Sequence, residues 1–369
     1  MLFMKLKSNR IVSVQEGDAR MLNRNTNVGY HKKIMRLKII FCFCLSMCSI
    51  ILSAQNKKPV AIIFDSDMGP DYDDVGAITL LHAFADSGRV KILATIASTK
   101  YDGVACVMNV FNTYFNKPYI PIGVPKGDAL TLRDFQHWTD TLIAKYPHKI
   151  KSNDEAEDAV ELYRKILSRQ PAHSVTIVTV GFFTNLANLL KTSGDKYSPL
   201  NGKDLVNEKV KQLVSMAAKF PDGYEFNVDK DIPASQYVFD NWPTKILFSG
   251  FEIGEKIKVG LPLIHNDKIR KSPVKDVFRI SIPMAAQDSL GRMSWDETAV
   301  LVAVNGFEPY YTLHHGYIKV AGDGKNTWVD DGDKQAYLVE AEPHKKVQDL
   351  INKIIMHQPL KQFQTVRHD

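Results

Sequence analysis

The strongest constraint in this sequence is an apolar run that ends in five carboxylates with no basic residue beside them. Val60 to Phe64 is a β-type run. Asp65, Asp67, Asp71, Asp73 and Asp74 follow within ten positions, and Val75 to Ala85 then has the spacing of an apolar helix. The stretch reads as strand, acidic loop, helix. Carboxylates at a buried strand tip repel one another and are poorly solvated. No Lys or Arg lies between Phe64 and Arg89, so the simplest local remedy is a divalent cation. Oxygen-only ligands favour Ca2+ or Mg2+ over zinc.

Rival readings of the loop differ in what they require. A solvated loop with helix-capping Asp residues needs no metal, because a helix N-terminus stabilises negative charge. An EF-hand fails on spacing: counted from Asp65, position 6 is Pro70 and position 12 is Gly76, so the turn Gly and the bidentate Glu are missing. A strand followed by D-x-D also opens phosphatases of the haloacid dehalogenase type, with Asp65 as nucleophile and Mg2+ as cofactor. Gly69 then stands where those enzymes usually carry Thr or Val.

The first 54 residues behave differently from the rest. Met35 to Ala54 has a basic start, an apolar core from Ile39 to Leu52 and a small-residue exit, the pattern of a secretory signal peptide. Residues 1–34 read as an upstream extension, and 55–369 as one domain. Nine Lys or Arg against two acids fall in 1–54; removing that surplus from the chain's +6 leaves a net charge of about −1. The basic balance therefore gives no reason to expect a nucleic-acid partner, and the mature chain is expected to be secreted or periplasmic with no membrane association, a single N-terminal anchor helix at 35–54 being the alternative. Cys42, Cys44 and Cys48 also lie in the leader, so Cys106 alone remains and neither a disulfide framework nor a thiolate site is expected.

Beyond the acidic loop, strand-like runs (92–97, 175–180, 212–216, 245–248) alternate with helix-period segments (104–115, 155–167, 184–190, 234–241). The alternation predicts an α/β fold, a mostly parallel sheet flanked by helices, with ligands at the carboxyl ends of the strands. From Lys256 onward β-type residues and turns dominate. His82 and Cys106 read as packing residues on their helices.

Four further pieces carry chemistry. His137 and Trp138 sit in a loop that could close over a flat leaving group. VTVGFFTNLANLL, from Val178, is strand, turn and helix, with Gly181 permitting the turn and Thr184 able to cap. After Met216, Glu225 and Asn227 stand two apart, which on an extended segment points both to one side and suits sugar hydroxyls. In RMSWDETAVLVAV, Asp296 sits at the mouth of an apolar helix and reads as an N-cap.

Together these stretches resemble the inosine-uridine preferring nucleoside hydrolase family. FDSDMGPDYDDVG is similar to its D-x-D-x-G-x-D-D-A motif with two residues inserted before the last Asp pair, and the other pieces follow in the family's order over roughly 58–310. The resemblance implies Ca2+ held by Asp67, Asp74, the Val180 carbonyl and Asp296. It also implies Asp67 as the base for the attacking water, and Asp73, Glu225, Asn227, Asp296 and Met216 around the ribose, with Asp65 orienting its neighbours. Asp71 receives no role. Trp295 stands where the family has His, and an indole is no useful acid, so Trp295 and His137 face an unassigned leaving group. Thr99 stands near a family Asn that binds sugar. The expected substrate is a small riboside and the expected assembly a homo-oligomer. A Mg2+ phosphatase using Asp65 and a non-catalytic Ca2+ and pentose binder are the alternatives.

Overall fold

The computed structural model describes residues 58–360; the predicted signal segment at 35–54 and the extension before it lie outside them. In chain order the strands are β1 (Val60–Ser66), β2 (Val90–Ala97), β3 (Ile122–Val124), β4 (Glu157–Asp158), β5 (Val175–Thr179), β6 (Val210–Met216), β7 (Asp222–Gly223), β8 (Lys245–Ser249), β9 (Lys258–Val259), β10 (Arg292–Met293), β11 (Tyr311–Val320), β12 (Asn326–Val329) and β13 (Gln335–Glu340). One sheet of 11 strands runs β4-β3-β2-β1-β5-β6-β8-β13-β11-β12-β7, and β9 pairs with β10 apart from it. Every pairing from β4 to β13 is parallel, while β11, β12 and β7 add an antiparallel edge. The predicted mostly parallel sheet flanked by helices is the fold.

The alternation within β1 shows why the sheet is parallel and buried. Ile62 and Phe64 belong to one hydrophobic core and Ile63 to another, on opposite faces. A strand covered on both faces reads as a continuous apolar run. Truncating Phe64 to Ala would cost about 3–5 kcal/mol in such a setting. The helices that matter for the site are α1 (Asp73–Asp86), α2 (Val104–Tyr114), α3 (Ala159–Leu167), α4 (Thr184–Lys191), α5 (Phe226–Lys230), α6 (Ile232–Asn241) and α7 (Trp295–Asn305). Helices α1 and α7 pack on each other and are buried almost all round, as helices with apolar residues on every side must be.

Most predicted elements fall within two residues of their places, and the differences have local causes. The helix expected from Glu155 begins at Ala159, because 157–158 pair in β4 and the Asp158 carboxylate accepts from the Val160 and Glu161 amides as N-cap. Thr184 is the first residue of α4 rather than its cap; its hydroxyl donates to Asp231 Oδ2 at 2.7 Å. Asp296 likewise lies inside α7, whose N-cap position is Ser294. The region after Lys256 supplies β9 to β13 but also α7 and the helices Pro273–Ser281 and His344–Ile354. No helix among the described residues is long and apolar enough to cross a membrane.

Candidate active site

Asp65 is the last residue of β1 paired with β5, Ser66 still pairs with Ala97 of β2, and Asp67 follows just past the strand, at its carboxyl end. Asp65 is wholly buried: Tyr163 Oη donates to it at 2.8 Å and Asn185 Nδ2 at 3.2 Å, and burial pushes its carboxyl up to about 7 against those two bonds. A carboxylate enclosed in this way is shut off from solvent. Gly181, in the turn after β5, lies so close to Asp67 that a Cβ there would overlap the Asp67 backbone. This close approach brings the Val180 segment against the acidic loop, tied further by Val180 N donating to the Asp65 carbonyl at 2.8 Å.

Asp73 and Asp74 open α1. The Ser66 hydroxyl holds Asp74 Oδ1 at 2.5 Å, while Asp74 Oδ2 and Asp67 Oδ2 are buried with no hydrogen-bond partner. Burial raises Asp67, Asp74 and Asp296 well above the ordinary carboxylate range, and repulsion within the acidic group raises each further. Oxygens of Asp71, Asp73 and Asp296 lie within 4.8 Å of one another. Orphaned buried carboxylate oxygens in an oxygen-only donor set fit a hard divalent cation.

The cavity beside these groups is lined by Asp71, Asp73, Met216, Glu225, Phe226, Asn227, Phe251, Trp295 and Asp296. A roomier groove of about 440 Å3 opens at the amino ends of β8 and β13, at the opposite end of the parallel strands from the acids. Parallel sheets bind at their carboxyl ends, and the acidic cavity is taken as the site.

The description of the inosine-uridine preferring nucleoside hydrolases matches residues 62–353 as a family. The chain belongs to that family. As a nucleoside hydrolase it is an N-glycosyl hydrolase. Its fold is similar to that of a plant nucleoside hydrolase, the PpNRh1 enzyme, at 18% identity and a TM-score of 0.62, covering 81% of this chain and 99% of that one. Similar too are the purine-preferring ribonucleoside hydrolase from Gardnerella vaginalis (16%, TM-score 0.64, 80% and 98% covered) and an inosine-uridine preferring nucleoside hydrolase from Bacillus anthracis (15%, TM-score 0.60, 80% and 99%). No curated protein sequence matches the chain.

Within this nucleoside hydrolase, most residues expected at the site converge on it, though not always in the expected way. Glu225 and Asn227 do not lie on an extended segment. Glu225 is the N-cap of α5, its carboxylate accepting from the Ala218, Asn227 and Val228 amides, and burial raises it to about 7. Asn227 Nδ2 donates to the carbonyls of Val180 (3.2 Å) and Met216 (3.3 Å), bridging the β5 and β6 ends. Trp295 lines the cavity, but its indole N–H donates to the Phe251 carbonyl at 2.8 Å. His137 does not line it: the imidazole is exposed beside Asp140, and Trp138 is buried in the core. Thr99 is buried, its hydroxyl spent on the Leu130 and Leu132 carbonyls. Asp65, sealed behind Tyr163 and Asn185, has no opening through which to attack a phosphate, which disfavours the phosphatase.

The largest omission of the sequence reading is Arg292. It enters the acidic group from 219 residues downstream of Asp73, with Nε at 3.0 Å and Nη2 at 2.6 Å from Asp73 Oδ1. Nη2 also lies 3.1 Å from Asp71 Oδ2, and the guanidinium covers the rings of Tyr72 and Trp295. A search for a cation near the loop in sequence could not find one delivered by a distant strand. Phe226, Phe251 and the buried Glu297, which presses on α1 at Gly76, were also missed, since none carries a local motif.

Proposed function

We propose that the protein hydrolyses the N-glycosidic bond of ribonucleosides or related ribosides in a Ca2+-dependent reaction, releasing base and ribose. The observation that carries this reading is the pair of buried, unpartnered oxygens on Asp67 and Asp74, beside Asp296 at the strand ends. Asp67, Asp74, Asp296 and the Val180 carbonyl would hold the ion. When bound, it supplies the Lewis acidity that makes a water a usable nucleophile near neutral pH.

Asp67 would take the proton of the attacking water as that water's oxygen bonds to the anomeric carbon. The bond from that carbon to the base nitrogen breaks, and its electron pair leaves with the base. Met216, Asn227, Glu225 and Asp296 surround the sugar. No His, Lys or Tyr lines the cavity among the described residues, and the Trp295 N–H is already engaged. The reading therefore favours ribosides whose aglycone departs without needing a proton. Export through the 35–54 segment and a homo-oligomeric assembly belong to the same proposal; N-terminal sequencing of the exported protein and sizing in solution test them.

The deciding experiment is sugar release from inosine, uridine and p-nitrophenyl riboside with and without EDTA. Release that EDTA stops and Ca2+ restores, strongest on the nitrophenyl compound, is expected. No release from any of the three in Ca2+ would overturn the reading.

A further inference from the structure

The family pattern assigns a sugar-binding role to the first Asp of the D-D pair, here Asp73, and none to the inserted residues. In this chain Asp73 has no capacity left. A carboxylate offers about four acceptor positions. Two are taken on Oδ1 by Arg292 Nε and Nη2 (3.0 and 2.6 Å), and two on Oδ2 by the backbone amides of Trp295 and Asp296 (3.2 and 3.3 Å). The Asp73 side chain is 1% exposed.

Asp71 differs on each count. Its side chain is 36% exposed, and its ion pair is a single contact, Oδ2 to Arg292 Nη2 at 3.1 Å. It lines the same cavity as Asn227 and Met216, with an oxygen within 4.8 Å of one on Asp73 and one on Asp296. Its carboxylate also faces that of Asp74. The group that occupies Asp73 and the group that could replace it arrive together. Tyr72, in the same inserted stretch as Asp71, cradles Arg292: its ring lies 4.8 Å from the guanidinium carbon and its hydroxyl donates to Asp288 Oδ2 at 2.6 Å. Asp288 in turn stands 3.9 Å from Arg292 Nη1.

We propose that Asp71 is the carboxylate this site presents to the substrate's ring hydroxyls, and that Asp73 is a positioning residue locked onto Arg292 and the start of α7. The inference rests on the riboside-hydrolase reading above. It makes the insertion and Arg292 one device, in which the arginine withdraws one carboxylate and the inserted loop supplies another.

The test is kcat/KM on p-nitrophenyl riboside and on its 2-deoxy and 3-deoxy analogues, with Ca2+ affinity measured by calorimetry. In Asp71→Asn the preference for the full riboside over at least one deoxy analogue is expected to shrink by about 10- to 100-fold, the scale of a lost hydrogen bond to a charged group, with Ca2+ affinity and unfolding temperature kept. In Asp73→Asn the preference is expected to remain while the unfolding temperature falls by about 4 °C or more. The inference is overturned if Asp73→Asn loses the preference, if Asp71→Asn keeps it, or if Asp71→Asn loses Ca2+ binding instead. If Asp73→Asn does not fold, the ratio within Asp71→Asn decides alone. Wild-type protein inactive on the riboside itself would fell the hydrolase reading, a pattern distinct from any of these.

Discussion

Helix α1 carries aspartates at both ends, and the two ends treat the same side chain in opposite ways. At its C-terminal end Asp86 meets Lys117 and, at 2.7 Å, His357; burial would raise its carboxyl, but those two partners outweigh it and leave it below the ordinary range. At its N-terminal end Asp74 is raised well above that range, first by burial and then by Asp67 and Asp73. Asp195 repeats the pattern of Asp86, held low by Arg164 in a bidentate pair at 2.7 and 3.1 Å. At Asp86 and Asp195, away from the acidic cavity, the chain provides a cation for the acid. At the active site Arg292 is the lone arginine or lysine paired with Asp71, Asp73 or Asp288 among the described residues, and Asp67, Asp74 and Asp296 have no arginine or lysine paired with them there. That surplus of negative charge is what marks the site.

The sharpest break between the two classes is a substitution that helps the fold and ruins the function. Asp74→Asn removes one carboxylate from the repelling group, so in EDTA the variant is expected to unfold at a higher temperature than wild type. Its kcat/KM in Ca2+ should fall by about 10^3-fold, the scale of losing a group that organises an electrostatic site. Melting curves in EDTA and steady-state rates in Ca2+ check the pair; a variant that is both less stable and fully active would dissolve the distinction. Arg164→Met makes the reverse case. Arg164 is 2% exposed and also bonds Thr192, Ser198 and Leu200. Breaking such a pair should cost about 3 kcal/mol of stability, measured by denaturant titration, with kcat/KM unchanged at temperatures where the variant is folded.

How much of this was legible in the sequence follows from the same division. The strand, loop and helix at 60–86 were readable because both periodicities are local, and so was the position of the acidic loop at the carboxyl end of a strand in a mostly parallel sheet. What could not be read was pairing across the chain. Arg292 and Asp73 share no local pattern, and the premise that no cation serves the loop failed for that reason. Glu225 and Asn227 line the cavity with the acids but lie in a local structure other than the extended one expected, because a five-residue helix leaves almost no periodic trace. His137 was drawn in by its chemistry alone, with no topological reason to face the cavity.

The middle of α1 offers a smaller test. His82 is wholly buried, with Nε2 on Asn112 at 3.0 Å and no partner for Nδ1. Burial, aided by the charge of Lys117, lowers its pKa to about 3. The unfolded chain takes up this proton near pH 6.5 and the native chain does not until about pH 3. Its contribution to stability is therefore complete above pH 6.5 and lost progressively as pH falls below that. Between pH 7 and pH 5 the loss amounts to about 2 kcal/mol. His82→Leu should remove that part of the slope. Equal pH dependence in both proteins would mean that His82 takes up its proton at the same pH in the native and unfolded states, and that burial does not govern this helix as argued.

The smallest expected effect asks whether Trp295 sets the leaving-group requirement. A histidine at 295 would begin α7 beside Arg292, which disfavours its charged form, and beside Asp71 and Asp296, which favour it. These influences oppose one another, so the imidazole should titrate usefully near neutral pH. It would lack the Phe251 carbonyl as a fixed anchor, since the shorter ring does not reproduce the indole's bond. A well-placed general acid is worth about 10^2- to 10^4-fold, and a loosely held one less. Trp295→His is therefore expected to raise kcat/KM on inosine about tenfold relative to p-nitrophenyl riboside, whose leaving group needs no proton. A parallel change on both substrates would make Trp295 a packing residue only. Wild-type protein that already cleaves inosine as fast as the nitrophenyl compound would show that a carboxyl of the acidic group serves as the acid, so that the charge surplus at this end of α1 would supply the proton as well as hold the ion.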